Sequence, residues 1–331
     1  MAVLVTGGAG YIGSHTVLAL IDAGERVVVL DDLSTGRQNA VHPSARLVVG
    51  DVGDSALVLR IAAEHDIQDI IHFAAKLIVP DSVSDPLGYY LGNTVKTRSL
   101  LAAAVGAGVP RLVFSSTAAV YGMPRENPVG EDSPTMPISP YGASKLMSEW
   151  MLRDTSAAHG LGYVTLRYFN VAGADPMLRS GQASPLSTHL IKVASETALG
   201  RRARLDVFGD NYPTPDGTCV RDYIHVTDLA LAHVEALHHL RRGGSNLTLN
   251  CGYGRGYSVL EVVDAVKRVS GADFPVRVGP RRPGDPAAIV ARAERIREAL
   301  GWHPQYDDLT TIVRHALAWE RKISAKPSAA A

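Results

Sequence analysis

The segment that most restricts this chain lies at its start. The apolar run Ala2–Val5 leads at once into Thr6-Gly7-Gly8-Ala9-Gly10-Tyr11-Ile12-Gly13, and a helical pattern over Ile12–Ala23 follows. A strand that turns through closely spaced glycines into a helix is the opening of a βαβ unit. The early glycines allow a tight turn whose backbone can approach a pyrophosphate. Gly13 lets the helix pack on its strand, and the helix N-terminus offers unpaired N–H groups to the anion. Asp31 ends the second apolar run, where a carboxylate accepts from a ribose hydroxyl and repels a 2′-phosphate. The pattern favours NAD over NADP, although Arg37 is a nearby cation that such a phosphate could meet. Asp31-Asp32-Leu33-Ser34 also reads as a plain turn. Asp51, after the third apolar run, is either an adenine contact or a helix cap.

The next stretches repeat that alternation. Arg26–Leu30, Arg46–Val49, Ile70–Phe73, Leu112–Ser115 and Val164–Arg167 are short runs rich in Val, Ile and Leu, as strands covered on both faces should be. Between them, Ala56–His65, Leu91–Ala107 and Pro140–His159 have helical patterns. The fold class expected is α/β, a Rossmann-like doubly wound parallel sheet with a smaller mixed substrate domain. Beyond residue 172 glycine, proline and polar residues crowd Gly173–Ser187. Helices are expected at Thr188–Leu199, Thr227–Arg241, Ser258–Ser270, Ala293–Leu300 and Asp308–Lys322, with strands at Asp206–Phe208 and Asn246–Asn250. The division expected is a dinucleotide domain over 1–172 and a substrate domain over 173–324, with parts of 220–250 packing back on the first. The Ala/Ser/Pro-rich 325–331 reads as a disordered tail.

Composition narrows the partners. The 331 residues carry 33 Lys+Arg against 33 Asp+Glu, and 46% are hydrophobic. A neutral chain lacks the basic face that nucleic acid requires, and a small-molecule substrate fits better. Cys219 and Cys251 have no metal-ligand spacing, and no histidine pairing suggests a metal site. Two reduced thiols, no signal peptide and no apolar run near ~20 residues point to a cytoplasmic protein off the membrane.

A second motif supplies the chemistry. Ser139-Pro140-Tyr141-Gly142-Ala143-Ser144-Lys145 has a capping serine and a proline at the first helical position. Tyr141 and Lys145 then share one helical face. An ammonium beside a phenol lowers its pKa from about 10, so it can exchange a proton at neutral pH. Hydride removal from a carbinol carbon needs such a base on the hydroxyl. Upstream, Leu112–Ser115 runs into Ser116 and Thr117, placing hydroxyls where ligands meet a parallel sheet. Thr117 can orient the reacting oxygen or satisfy backbone, and Ser115 and Ser116 are open in the same way.

With these segments in view the chain resembles the extended short-chain dehydrogenase/reductase family, in its branch of sugar-nucleotide 4-epimerases. The resemblance runs from Val3 to about Trp319. It is carried by Leu4–Gly13 with Ser14-His15, Leu30–Gly36, His72–Ala75, Phe114–Gly122, Ser139–Leu146, Arg167–Gly173, Val207–Val226 and Pro280–Ala287. The stretch Asp216–Val226 is especially specific. The resemblance implies tightly bound NAD and interconversion of UDP-glucose and UDP-galactose through a transient 4-keto sugar. It implies catalytic roles for Tyr141, Lys145 and Thr117. It implies cofactor contacts from Gly7, Gly10, Tyr11, Ile12, Gly13, Asp31, Asp32, Leu33, Ser34, Asp51 and Val52. Further cofactor contacts would come from Phe73, Ala74, Ala75, Lys76, Asn93, Ser115, Tyr141, Lys145 and Phe169. Substrate contacts would come from Thr117, Tyr141, Asn170, His189, Leu190, Val207, Phe208, Arg221, Arg282 and Asp285. Arg221 and Arg282 make sense as diphosphate clamps, since guanidinium forks match phosphate oxygens. A homodimer is also implied.

The chain departs from the family pattern in places. Where relatives read lysine two residues after Phe-Ala-Gly or Phe-Ala-Ala, Lys76 stands one residue early and Leu77 follows. Asn-Asn-Val reads Asn93-Thr94-Val95 after Gly92. Ile289 replaces the Tyr or Cys that gates bulk at the sugar 2-substituent in some relatives. A dehydratase on this fold would need acidic groups after Thr117, and Ala118 and Ala119 stand there. UDP-xylose/UDP-arabinose or UDP-N-acetylglucosamine 4-epimerisation shares every motif. A net reductase, which would release its cofactor each turnover, is a weaker reading, as is an NAD-sensing protein, which need not keep Tyr141 and Lys145.

Overall fold

The computed structural model describes residues 1–184, 187–282 and 284–325. Its first unit is β1 (Ala2–Thr6), α1 (Tyr11–Asp22) and β2 (Val27–Asp31). It continues through β3 (Arg46–Val49), α2 (Ser55–His65), β4 (Ile67–His72), the short helices α3 (Val79–Ser84) and α4 (Pro86–Tyr89), and α5 (Lys96–Gly106). Then come β5 (Arg111–Thr117), α6 (Pro140–His159) and β6 (Gly162–Tyr168). The rest is β7 (Asn170–Ala172), α7 (Leu190–Ala198), β8 (Leu205–Phe208), β9 (Val220–His225), α8 (Val226–Arg241), β10 (Leu247–Cys251) and β11 (Gly256–Ser258). The chain closes with α9 (Val259–Ser270), β12 (Val276–Gly279), β13 (Ala288–Ile289), α10 (Glu294–Leu300) and α11 (Leu309–Ala325).

Seven strands form one parallel sheet in the order β10-β6-β5-β4-β1-β2-β3. The order reverses at β1, between β2 and β4, so a crevice opens there at the carboxyl ends. Successive residues feed opposite layers, as period-two strands must. Val3, Val5, Val29 and Ile71 join one core cluster, which includes Val17 and Leu20 of α1 and Leu229 of α8. Leu4, Val28, Leu30 and Ile70 join the other, with Val58 and Ile61 of α2 and Leu100 of α5. This two-sided burial explains the uninterrupted apolar runs. β10 belongs to this sheet, parallel to β6, so residues 247–251 return to the first layer.

Two smaller sheets lie beyond it. β9 runs between β11 and β13 and also pairs with β7, while β8 pairs in parallel with β12. The sequence reading had not foreseen β7, β9, β11, β12 or β13. They are short, and β9 interrupts its apolar pattern with Arg221, Asp222 and His225. Asp222 is fully buried and accepts from the N–H groups of Tyr253, Gly254 and Ala291. A polar residue is needed there because three backbone donors are otherwise orphaned.

Helix ends follow the expected chemistry. Ser139 accepts from the Gly142 N–H at 3.2 Å, Pro140 opens α6, and Gly160 closes it with φ 72°. Ser258 and Glu261 make a capping box at α9. The helix expected over Leu91–Ala107 differs: α5 begins at Lys96, and Tyr90–Val95 widens into π turns. The cause is Asn93, whose amide donates to the Lys76 carbonyl and the Ser144 hydroxyl and accepts from the Lys76 N–H. Ala325 is the last residue of α11, and the remaining tail expectation, at 326–331, falls outside the described residues.

Candidate active site

The glycine turn is built as its spacing requires. Gly7 has φ +73°, and a Cβ there would meet the Ala74 nitrogen at 2.6 Å. A Cβ on Gly13 would strike the Gly7 carbonyl. Gly10 precedes α1 with no side-chain cap. The first-turn N–H groups of α1, at Tyr11, Ile12 and Gly13, therefore have no partner within the helix. Asp31 is buried and accepts from the Ala9 and Leu33 N–H groups, each at 2.9 Å. Burial raises its pKa, and backbone donors offset part of this. A carboxylate has about four acceptor positions, so it retains capacity for a ribose hydroxyl. Asp32 accepts from Ser34, and Leu33 takes a left-handed φ of 58° in the same turn. These features fit a dinucleotide phosphate and ribose.

Other expected cofactor residues flank this turn unequally. Val52 is buried, while Asp51 pairs with Lys96 at 2.7 Å. Phe73 donates its N–H to the Thr6 carbonyl, Ala74 faces Gly7, and Ala75 is half-buried. The Lys76 ammonium pairs with Asp85 at 3.1 Å and lies 5.5 Å from the Tyr89 ring centre, so it points along the protein surface. Leu77, not Lys76, reaches the cavity wall. The side-chain amide of Asn93 is occupied by Lys76 and Ser144, so its place is beneath the loop.

Tyr141 and Lys145 occupy the first two turns of α6, beside the end of β5. Lys145 is 4% exposed; its Nζ donates to the Ser115 carbonyl at 2.9 Å and lies 4.9 Å from the Phe114 ring centre. Burial pushes its pKa down to about 8, and Glu149 draws it upward. Burial pushes the Tyr141 phenol up to about 12, with the Thr117 hydroxyl pulling it down. Burial therefore outweighs the depression expected from Lys145, whose ammonium has one of its three donors on the Ser115 carbonyl. The Ser115 hydroxyl meets the Tyr168 hydroxyl at 2.7 Å. Thr117 Oγ1 accepts from the Ala119 N–H at 3.1 Å, so its own O–H is the donor that acts on the Tyr141 phenol oxygen.

A cleft of about 390 Å³ lies over these groups. Thr117, Ala118, Ala119, Tyr141, Phe169 and Asn170 line it, together with His189, Leu190, Arg221, Asp285 and Ile289. Burial lowers the pKa of His189, so it presents a neutral ring. Arg221 lies 3.7 Å from Asp285. Ala118 and Ala119 bring only methyl groups beside Thr117, so no acid adjoins it there. Val207, Phe208 and Arg282 are not among the residues lining this cleft. Val207 is buried in β8, and the Arg282 guanidinium stacks 3.7 Å from the Phe208 ring centre. Sequence reasoning missed Tyr168, Ile138, Val79 and Val83 as cleft residues. Tyr168 lies within the Arg167–Gly173 segment, but Ile138, Val79 and Val83 carry no motif, and only the fold brings them together.

Fold and site together define a dinucleotide-dependent enzyme that exchanges a proton and a hydride at an alcohol carbon. The chain belongs to the NAD dependent epimerase/dehydratase family, whose model matches residues 3–252. It is 59% identical over 321 residues to a UDP-glucose 4-epimerase of Azospirillum brasilense, covering 97% of this chain and 92% of that one. A UDP-glucose 4-epimerase from Brucella ovis, solved in complex with NAD, superposes with TM-score 0.93 at 47% identity, over 96% of this chain and 97% of that one. A UDP-Glc/GlcNAc 4-epimerase from Campylobacter jejuni superposes with TM-score 0.85 at 45% identity, over 97% and 99%. No helix among the described residues is long and apolar enough to cross a membrane, and no cluster there could hold a metal ion.

Proposed function

We propose that this enzyme inverts C4 of a UDP-hexose, interconverting UDP-glucose and UDP-galactose. The observation that carries the reading is that Thr117 and Tyr141 line one cleft together with Arg221 and His189. Tyr141 takes the proton from the sugar 4-hydroxyl while Thr117 donates to the same oxygen and orients it. Bound NAD accepts the C4 hydrogen as hydride and later returns it. The C4–H and O–H bonds break as a C4 carbonyl forms. The ketosugar turns in the cleft, Tyr141 gives the proton back, and C4 is re-formed with the opposite configuration. No net oxidation results. Lys145 holds the nicotinamide ribose and faces the phenolate side of the exchange. Arg221 neutralises the diphosphate, so the sugar can turn without losing its anchor.

Gly7, Gly10, Tyr11, Ile12, Gly13 and Asp31 hold the dinucleotide in this reading. Its two parts divide as 1–172 for the cofactor and 173–324 mainly for the nucleotide sugar, with parts of 220–250 packing back on the first. The enzyme is read as a cytoplasmic homodimer, and self-association fits the exposed Leu87, Leu91 and Val95, which recur every four residues, and the exposed Trp150 on α6. Such a stripe of unpartnered apolar residues suits a self-interface. Sedimentation of the wild type and of Leu91→Glu tests this.

The deciding experiment incubates the purified protein with UDP-galactose, UDP-N-acetylgalactosamine and UDP-arabinose separately and identifies the products at equilibrium. The reading expects a UDP-glucose/UDP-galactose mixture with no added cofactor, and NAD released on denaturation. Released NAD without turnover of any nucleotide sugar would make the chain a sensor instead.

A further inference from the structure

One buried carboxylate close to the catalytic groups has no part in the chemistry above. Glu149 lies on α6, four residues past Lys145 and eight past Tyr141, hence on the same face and about 6 Å of rise beyond the lysine. It is 8% exposed. Oε1 accepts from the Ser116 hydroxyl at 2.5 Å, and the Arg167 guanidinium grips both carboxylate oxygens, with Nη2 at 2.6 Å from Oε2. Arg167 also donates to the Tyr121 hydroxyl at 3.0 Å, which in turn donates to Asn250 Oδ1 at 2.7 Å. Asn250 is held by Glu131 and the Val129 carbonyl. Satisfied buried networks of this kind fix geometry, because every alternative strands a polar group.

The position of this network is what gives it a role. Ser116 immediately precedes Thr117 on β5, and Lys145 immediately contacts Ser115. A single side chain on α6 therefore grips the strand end that carries Thr117, one helical turn from the ammonium that grips the same strand. We propose that Glu149 is a positioning residue of the epimerase: it locks Thr117, Tyr141 and Lys145 into one geometry and places a negative charge one helical turn from the Lys145 ammonium. The proposal rests on the epimerase reading for its kinetic readout.

The surroundings of Lys145 single out this charge. α6 contributes Tyr141 and Glu149, and β5 contributes the Ser115 carbonyl and the Phe114 ring. From β4 comes His72, whose two ring nitrogens meet the hydroxyls of Thr6 and Thr97. Burial, then the Lys145 charge, holds its pKa down to about 3, so it is neutral. α5 places Lys96 on Asp51 instead. β6 brings Arg167, paired with Glu149, and Tyr168, whose hydroxyl meets that of Ser115. Glu149 is thus the group that draws the lysine pKa upward against burial.

The test compares wild type, Glu149→Gln and Glu149→Asp. Glu149→Gln should lower kcat by up to about a hundredfold, as small misplacements of reacting groups do, with KM for the UDP-sugar within about twofold of wild type. The alkaline fall of kcat should move to lower pH by about one unit, since a neutral amide no longer favours the ammonium. Glu149→Asp keeps the charge with a shorter reach, so it should leave that fall in place and lower kcat less. The lysine titration is also read without turnover, from the Cε resonance of carbon-13-labelled Lys145, assigned by its loss in Lys145→Met. An unmoved Lys145 titration in Glu149→Gln overturns the electrostatic role, and unchanged kcat overturns the positioning role. If Glu149→Gln does not fold, Glu149→Asp carries the test through its kcat: a wild-type value there overturns the proposal. Absent turnover in wild type would instead refute the epimerase reading, and the resonance would still decide the charge.

Discussion

Lys145 Nζ and the Ser115 carbonyl, 2.9 Å apart, tie the helix bearing Tyr141 to the strand bearing Thr117. The ammonium thus has a structural duty before any chemistry begins. It also sits where burial lowers its pKa to about 8. Below that pH the lysine is charged and the tie is a charge-assisted hydrogen bond; above it the charge is lost. Epimerisation should therefore fall as pH rises through about 8. Lys145→Arg, which cannot be deprotonated, should be slower at neutral pH but lose the alkaline fall. A wild-type kcat that stays level across this range would mean that the lysine charge is not needed.

Tyr141 and Thr117 act on one oxygen in the proposed chemistry, so their removal should differ in size. Tyr141→Phe deletes the proton acceptor and should cost about 10²–10⁴ in kcat, the usual range for a general base. Thr117→Ala deletes an orienting donor and should cost less. Both variants should bind UDP-sugar with near wild-type affinity, because the diphosphate contacts lie elsewhere. Titration calorimetry beside steady-state kinetics checks this, and near-normal turnover by Tyr141→Phe would remove it as the base.

The first half of the molecule was legible because its signals are local. Gly13 and Asp31 each answer a requirement set within one βαβ unit, and the two-sided burial of Val3 through Val5 shows in the sequence as an unbroken apolar run. Ser139 and Pro140 likewise announced α6. The second half was harder because its strands depend on distant partners. β9 exists through pairing with β7, β11 and β13, and Asp222 interrupts its pattern to serve Tyr253, Gly254 and Ala291. The π turns at Asn93 arise from contacts with Lys76 and Ser144, neither nearby in sequence. Glu149 did leave a trace, as a third residue on the face of Tyr141 and Lys145, but its meaning required Arg167 and Ser116.

Ile289 offers a test of specificity. It lines the cleft in β13, opposite Arg221 in the pairing register, and is 7% exposed. A tyrosine there would project a longer, stiffer side chain into the sugar space. Ile289→Tyr should lower kcat/KM for UDP-N-acetylgalactosamine by about tenfold or more, which is about 1.4 kcal/mol, and affect UDP-galactose less. Equal losses on both sugars would place Ile289 away from the 2-substituent.

Arg221 and Asp285 suggest how the diphosphate anchor is kept ready. Arg221 Nη2 is 3.7 Å from Asp285 Oδ1, and Nη1 donates to the Val220 carbonyl at 2.9 Å. The guanidinium is largely buried and the aspartate partly exposed, so the pair is a loose one that a diphosphate can outcompete. Arg221→Ala should weaken UDP binding by about 2–3 kcal/mol, within the range for a hydrogen bond to a charged group, with a smaller effect on kcat. Arg221→Lys should recover only part, because an ammonium cannot make the two-pronged contact. Asp285→Asn separates the two roles of the aspartate. If it only restrains Arg221, UDP binding should hold or tighten; if it also contacts the nucleotide, binding should weaken. Calorimetry with UDP alone reads all three variants, and unchanged affinity in Arg221→Ala would exclude the clamp.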